Sequence, residues 1–468
     1  MTSPRPTAAR ATSRDALLLL VPTRSYRTDD FLAAAAKLDV PVVVGSDRCH
    51  RIEEAFGAAE GFLSLDYRRP ARAADAIARA AARRPIRGVV PVDDGTAVIA
   101  AVAADRLGLP RNPPEAARRA ADKLAMRRAL SEAGVPVPRF QAFEIARGPE
   151  RPARHVEYPC VLKPLALSAS RGVVRADDPA SFAAAWARVA AIVAAARADR
   201  RPGDARAGRW LLVESFVPGA EVALEGLLRG GALEVLALFD KPDPLDGPFF
   251  EETLYVTPSR HPAATQAAVA ATAAAAAAAM GLREGPLHAE LRLGPDGPVV
   301  LEVAARTIGG LCARTLRFGA GLSLEEIVVA HALGLPLAPH ERERRASGVM
   351  MLPIPRRGVL HGVAGVEAAR RVPGVEDVVV TAQQGREVVP LPEGDAYLGF
   401  LFAKGATPGE VEASLREAHR HLAFDIRATL PTLREAGAEP DPDGGAGGEP
   451  LARRRGSAPR RAGRRSTA

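Results

Sequence analysis

The chain has 468 residues and a mass of 49.1 kDa, is 47% apolar and 25% charged, and so has the composition of an ordinary globular protein of about three domains. Its formal net charge is +8 and its pI about 9.8, yet seven of those charges are Arg residues within the last 18 positions, which hold no acid. The body is therefore nearly neutral, which excludes a basic nucleic-acid or membrane surface spread over the fold.

Residues 1–14 are rich in Arg, Ser, Thr and Pro and predict a disordered segment. Ala16 to Val21 reads as a buried strand. The apolar stretch is too short for a signal peptide and leads into Thr23-Arg24-Ser25 instead of a small-residue cleavage site. A helix over Asp29 to Leu38, a strand over Val40 to Val44, a helix over Arg72 to Ala82, a strand over Gly88 to Val92 and a helix over Gly95 to Leu107 follow. Continuous apolar strands alternating with helices predict a parallel sheet covered on both faces, an α/β domain spanning 15–112.

One helix is expected from Pro114 to Ala133, stopped by Gly134 and barred from continuing by Pro136 and Pro138. Next come a strand at Cys160 to Lys163, a small-residue loop at Ser168 to Gly172, a helix from Ser181 to about Ala198 and a strand at Trp210 to Phe216. A hairpin from Glu221 to Asp240 turns at Gly230-Gly231, and another from His288 to Ala304 turns at Gly294 to Gly297. Between them Pro262 to Leu282 is uncharged and long enough to cross a membrane. It is mostly Ala, which gains little in lipid, and is read as a helix on a protein core. These elements form an antiparallel α+β domain over 113–346. A third α+β region covers 347–430, and the Gly/Pro/Asp/Arg composition of 431–468 predicts a disordered tail.

The second hairpin carries the strongest chemical signal. His288 and Glu290 share one strand face, and one of two plausible registers sets Glu302 directly opposite Glu290. Paired carboxylates at a cleft floor suit Mg²⁺ bridging phosphates. Arg306, ahead of Gly309-Gly310, is placed to hold a transferring phosphoryl group. The loop containing Ser168, Ser170, Gly172 and Val173 can offer backbone and hydroxyl donors to phosphates. Lys163 ends an apolar strand where burial is expensive without an anion. Glu214 interrupts another apolar strand, and Glu221, Ala223 and Glu225 alternate on one face beyond it.

Only five of the 63 basic residues are Lys: Lys37, Lys123, Lys163, Lys241 and Lys404. In an Arg-dominated sequence a retained Lys marks places that need a compact ammonium. Cys49, Cys160 and Cys312 form no CxxC, which argues against a zinc site or a disulfide framework and favours a reducing cytoplasm.

In this order and spacing, several motifs resemble the ATP-grasp superfamily, and within it carboxylate–amine ligases of the L-amino acid ligase type. They are Asp122-Lys123 with Arg127, Gly134-Val135-Pro136-Val137-Pro138, Val161-Leu162-Lys163-Pro164, the Ser/Gly loop, Val213 to Glu221, His288-Ala289-Glu290, and Glu302 to Gly310. The resemblance covers about residues 15 to 430. It implies an ATP-grasp fold with an N-terminal Rossmann-like parallel-sheet domain, a lid over 139–205 and a C-terminal α+β domain. It implies that Lys123 and Lys163 contact the phosphates of ATP, with Lys163 also near the adenine, under a loop of Ser168, Ser170, Gly172 and Val173. Glu214 and the backbone of Phe216 and Val217 would read adenine, and Glu221 the ribose. Glu290 and Glu302 would bind Mg²⁺, with Mn²⁺ as a substitute, and Arg306, Lys241 and His288 would serve catalysis.

Many relatives have Asn where this chain has Ala304, an amide that water can replace on Mg²⁺. The implied reaction joins a small carboxylate to an amine through an acyl phosphate, with Glu251, Glu252, His288 and Arg314 as candidates for specificity. Residues Thr23 to Arg27 and Asp93-Asp94-Gly95 would line the substrate side. Neither a specific nucleic acid nor a membrane is expected as partner, because the basic tail has no aromatic residue to stack on bases; homodimerisation is left open. The alternatives are another ATP-grasp ligase, purine-biosynthetic or biotin-carboxylase-like, and an ATP-binding regulator without catalysis.

Overall fold

The computed structural model describes residues 15–22, 25–47, 61–198, 208–319, 321–337 and 339–428. The expectations for residues 1–14 and 431–468, and for Thr23, Arg24 and Cys49, lie outside the described residues.

Strands β1 (Ala16–Val21), β2 (Val42–Ser46), β3 (Phe62–Ser64) and β4 (Ile86–Pro91) form a parallel sheet in the order β3-β2-β1-β4. Helix α1 (Thr28–Lys37) lies between β1 and β2 and α2 (Pro70–Ala81) between β3 and β4, and α3 (Asp94–Leu107) follows β4. β1 is apolar at every position because both faces are covered. Leu18 and Leu20 pack with Ile77 of α2 and Ile99 of α3, whereas Leu17 and Leu19 pack with Phe31 of α1 and with Val328 and Val329. The last two residues come from far along the chain, so the second face of this sheet is completed by a distant helix.

The helix expected over Pro114 to Ala133 is two helices, α4 (Pro114–Ala121) and α5 (Lys123–Glu132). Asp122 between them is extended, with φ −127° and ψ 110°, and its carboxylate accepts the Leu124 and Ala125 amides. An Asp at this position stabilises a new helix start more than it stabilises a continuous helix. The break makes Lys123 the first residue of α5.

β5 (Phe140–Glu144), β6 (Cys160–Pro164), β7 (Val174–Ala176) and β8 (Trp210–Ser215) make an antiparallel sheet ordered β5-β8-β6-β7. Helix α6 (Pro179–Ala198) covers one face, setting Phe182, Trp186 and Val189 against Cys160, Leu162, Leu211 and Val213. Lys163 and Glu214 alternate with those residues and occupy the opposite face.

The central sheet begins with β9 (Glu221–Arg229), β10 (Ala232–Lys241) and β11 (Leu254–Thr257). After α7 (Ala263–Met280) come β12 (Gly285–Gly294) and β13 (Gly297–Ala304). The Ala-rich α7 lays Val269, Ala273, Ala276 and Met280 on Val222, Leu224, Leu287, Ala289 and Val303, as a core helix would. Helix α8 (Leu324–Leu333) carries Val328 and Val329 to the N-terminal sheet.

Beyond it β14 (Ala346–Leu352), β15 (Gly358–Ala364), α9 (Val366–Arg370), β16 (Val375–Val380), β17 (Glu387–Val388), β18 (Gly399–Gly405), α10 (Pro408–His421) and β19 (Ala423–Arg427) follow. β14, β18 and β16 extend the central sheet through β11, giving the order β13-β12-β9-β10-β11-β14-β18-β16. β17, β15 and β19 make a separate three-stranded sheet. The sheet is thus continuous across the expected limit at residue 346.

Gly219 joins the β5–β8 sheet to β9 with φ +113°, and a Cβ there would lie 2.2 Å from the Leu293 carbonyl oxygen. Backbone cannot yield that distance cheaply. Gly219→Ala is expected to destabilise the protein by about 2 kcal/mol in urea unfolding.

Candidate active site

The register of β12 and β13 decides the site. From the turn, Gly294 faces Gly297, Arg292 faces Val299 and Leu291 faces Val300. Continued without interruption, this pairing would set Leu301 against Glu290 and turn Glu302 toward α7. A bulge between Glu290 and Leu291 inserts one residue, so Glu290 faces Glu302 instead. Val300 and Val303 both join the core under α7, and the Leu301 carbonyl accepts Arg127 Nη2 at 2.5 Å. Neighbouring pairs place Glu225 beside His288, and Glu221 beside both Arg292 and Lys241, on the same sheet face.

Lys163 Nζ lies 2.7 Å from Glu214 Oε2, and Arg127 Nε lies 2.6 Å from Glu214 Oε1. Burial lowers Lys163 below the usual lysine range, and Arg127 adds to this against the pull of Glu214. Burial would raise Glu214, but Arg127 and Lys163 hold it below the usual carboxylate range. Lys123 donates to the Leu167 carbonyl at 2.8 Å and lies 3.4 Å from Glu302. Glu214 therefore anchors two cations, with both of its oxygens engaged. The Phe216 amide donates to the Pro159 carbonyl at 3.0 Å, so of the expected adenine contacts Phe216 can offer only its carbonyl. The Val217 carbonyl accepts Arg292 Nη1 at 2.8 Å.

The Ser/Gly loop also differs from expectation. The Gly172 amide donates to the Pro392 carbonyl and the Val173 amide to Ser170, which turns both away from a ligand above the loop. Ala169 and Ser170 have φ of 55° and 52°, and Gly172 has φ +74° with Pro164 packed where a Cβ would lie. Ser168 is exposed and Ser170 is half-buried.

Lys241 sits among three carboxylates: 2.7 Å from Glu221, 3.5 Å from Glu290, and hydrogen-bonded to Glu252. Burial would lower it, but these charges raise it well above the lysine range. Glu221 holds Lys241 on one oxygen and Arg292 Nε, at 3.1 Å, on the other, and so faces inward. Burial and the neighbouring Glu290 push Glu252 up to about 7. Arg314, a specificity candidate, is bound at 2.8 and 2.9 Å to Asp30 of α1.

Both nitrogens of His288 are engaged. Nδ1 donates to Glu225, and Nε2 lies 3.2 Å from Glu290 Oε1. Burial would lower the imidazole, but the two carboxylates raise it to about 9. With both nitrogens occupied, His288 is held as a charged support for Glu290 and has no free nitrogen for a substrate. A raised folded value adds stability below about pH 6.5 that is lost as pH rises through 9. Urea unfolding in metal-free buffer should therefore show about 3 kcal/mol lost across that window, and Glu225→Gln should remove most of the dependence.

Arg306 pairs bidentately with Asp94 at 2.8 and 2.7 Å, and burial is overridden by Asp94 in raising its pKa further. Asp93 caps α3. Arg27, expected at a substrate wall, is 2% exposed and turned into the protein.

Residues 32–111 match the ATP-grasp N-terminal domain family, 156–315 the ATP-grasp domain family and 350–427 the L-amino acid ligase C-terminal domain 2 family. The chain carries an ATP-grasp domain. The chain is similar to an L-amino acid ligase from Bacillus licheniformis, whose crystal structure it matches with a TM-score of 0.74 at 26% identity, covering 89% of this chain and 100% of that one. It is 32% identical to carnosine synthase 1 of Gallus gallus over 69% of this chain and 36% of that protein. It is 26% identical to the alanine–anticapsin ligase of Bacillus subtilis over 49% and 50%. The chain spans between 36% and 64% of the lengths of the curated relatives it matches.

Three residues of the candidate site were not singled out for a role from sequence. Arg127 lies one helical turn after Lys123, Glu225 alternates with Glu221, and Arg292 alternates with His288 and Glu290. Each spacing was a usable signal, but an Arg-rich sequence hides the two arginines.

Proposed function

We propose that this ligase uses ATP to join a small carboxylate, an amino acid or a similar acid, to an amine. The observation that carries this reading is Glu290 opposite Glu302 on a sheet face lined by Lys123, Lys241 and His288, beneath a lid sheet bearing Lys163. The domain limits 15–112, 113–346 and 347–430, with 139–205 as lid, go with it.

The donor set fits a hard divalent cation. Glu290 and Glu302 are partly exposed carboxylates on adjacent strands, and each has an ammonium 3.4 to 3.5 Å away where a cation is electrostatically favoured. The group Glu221, Glu252 and Glu290, with oxygens within 4.8 Å of one another, already encloses Lys241. Glu290 and Glu302 would hold Mg²⁺ or Mn²⁺, which when bound would neutralise phosphate oxygens.

In this reading Lys123 and Lys163 bind the phosphates, and the β5–β8 sheet covers them and excludes water. A substrate carboxylate oxygen bonds to the γ-phosphorus as the bond to ADP breaks. The amine nitrogen then attacks the acyl carbon, phosphate leaves with the C–O electron pair, and the amine proton passes to solvent. Arg306 stabilises the transferring phosphoryl group. The test is ADP and phosphate release across pairs of amino acids and other carboxylates. ATP binding without ADP release for every pair would sink the reading in favour of a non-catalytic regulator.

A further inference from the structure

The loop after β13 holds Arg306 and leads into Gly309-Gly310, a segment with little conformational restraint of its own. It is bracketed from two sides. From the N-terminal sheet, Arg27 Nη1 donates to the carbonyls of Thr307 at 3.2 Å and Ile308 at 2.7 Å, and to the Thr307 hydroxyl. The Arg27 Nη2 atom lies 3.6 Å from Asp93, and the adjacent Asp94 grips Arg306 with both oxygens. From the central sheet, Glu225 Oε2 accepts the Ile308 amide at 3.1 Å.

Burying a guanidinium at 2% exposure on backbone carbonyls is costly, and an apolar residue would pack a domain contact at lower cost. What Arg27 supplies that an apolar residue cannot is direction: its donors fix the orientation of two consecutive peptide units beside Arg306. Arg27 precedes α1, the helix after β1, and Asp94 opens α3, the helix after β4; β1 and β4 are parallel neighbours, and both residues reach the same loop.

We propose that Arg27 and Asp94 are positioning residues for Arg306, holding the loop of the central domain in the orientation that phosphoryl transfer needs. This rests on the function proposed above for what Arg306 does; the bracket itself rests on the contacts. A loop released from this bracket would leave nucleotide binding intact and slow the chemical step.

The test uses full-length Arg27→Met, Arg27→Lys and Asp94→Asn. Hydrogen exchange of peptides covering 305–311 should accelerate about tenfold or more in Arg27→Met and Asp94→Asn, with ADP affinity within about twofold of the parent. With a substrate pair found by ADP release, kcat should fall about 100-fold while KM for ATP holds, and Arg27→Lys should recover about tenfold. Unchanged exchange in this loop would overturn the proposal. So would loss of activity that tracks melting temperature alone and is equal in the Lys and Met variants, the behaviour of a simple domain staple. A parent protein that turns over no pair defeats the functional reading, while the exchange result still decides whether Arg27 and Asp94 hold the loop.

Discussion

Lys163→Met is expected to lower ADP affinity by at least about 100-fold, and turnover with it, while leaving the melting temperature unchanged or raised. The sign follows from the buried cluster. Glu214 is 2% exposed and faces two cations, Lys163 at 2.7 Å and Arg127 at 2.6 Å, so without ligand the group carries one uncompensated positive charge. Removing the ammonium leaves a balanced Arg127–Glu214 pair, and an apolar side chain fills the space. Glu214→Gln does the opposite, leaving two buried cations with no carboxylate at a cost of about 3 to 5 kcal/mol. Calorimetric titration with ADP and urea unfolding of both variants separate the roles. A Lys163→Met protein that unfolds readily would mean the lysine is structural and not a phosphate ligand.

Glu290→Gln is expected to reduce kcat about 1,000-fold and to raise the Mg²⁺ concentration needed for half-maximal activity. Lys241 keeps Glu221 and Glu252, and His288 keeps Glu225, so the fold should survive the change. Glu302→Gln should behave alike, and the double variant should lose little more than either single one, because two ligands of one ion act as a unit. Glu252→Gln, in contact with the same lysine, should leave the Mg²⁺ requirement unchanged. The Mg²⁺-dependent rise in melting temperature in the presence of ADP gives a readout independent of turnover. If that rise persists in Glu290→Gln, the metal assignment is wrong.

Much of the fold was legible because local rules were strong. Continuous apolar strands meant a parallel sheet, Gly pairs marked the hairpins, and Ala-rich α7 turned one face to the core. Scarce lysines pointed to Lys123, Lys163 and Lys241, and all three stand within ion-pair distance of a carboxylate at the site. Errors arose where two local readings were close in energy. Asp122 could sit inside a helix or cap a new one, and its bonds to two amides favoured the cap. The backbone of Phe216 and Gly172 looked free for a nucleotide, yet Pro159 and Pro392, distant in sequence, take those amides.

By itself, then, the sequence determined most element types, the parallel or antiparallel character of the sheets, the resemblance to ATP-grasp proteins and most of the charged residues at the candidate site, since these follow from periodicity, turn chemistry and motif spacing. The tertiary structure alone decided which of those charges meet. One inserted residue in β13 turns Glu302 toward Glu290, because side chains alternate with period two and a slip of one reverses the face. Arg27 and Asp94 reach the Arg306 loop across more than 200 residues, and α8 seals a sheet that precedes it by as many. No local pattern encodes such pairings: they form only when the assembled core brings distant segments together, and burial then makes each buried charge take whatever partner lies beside it.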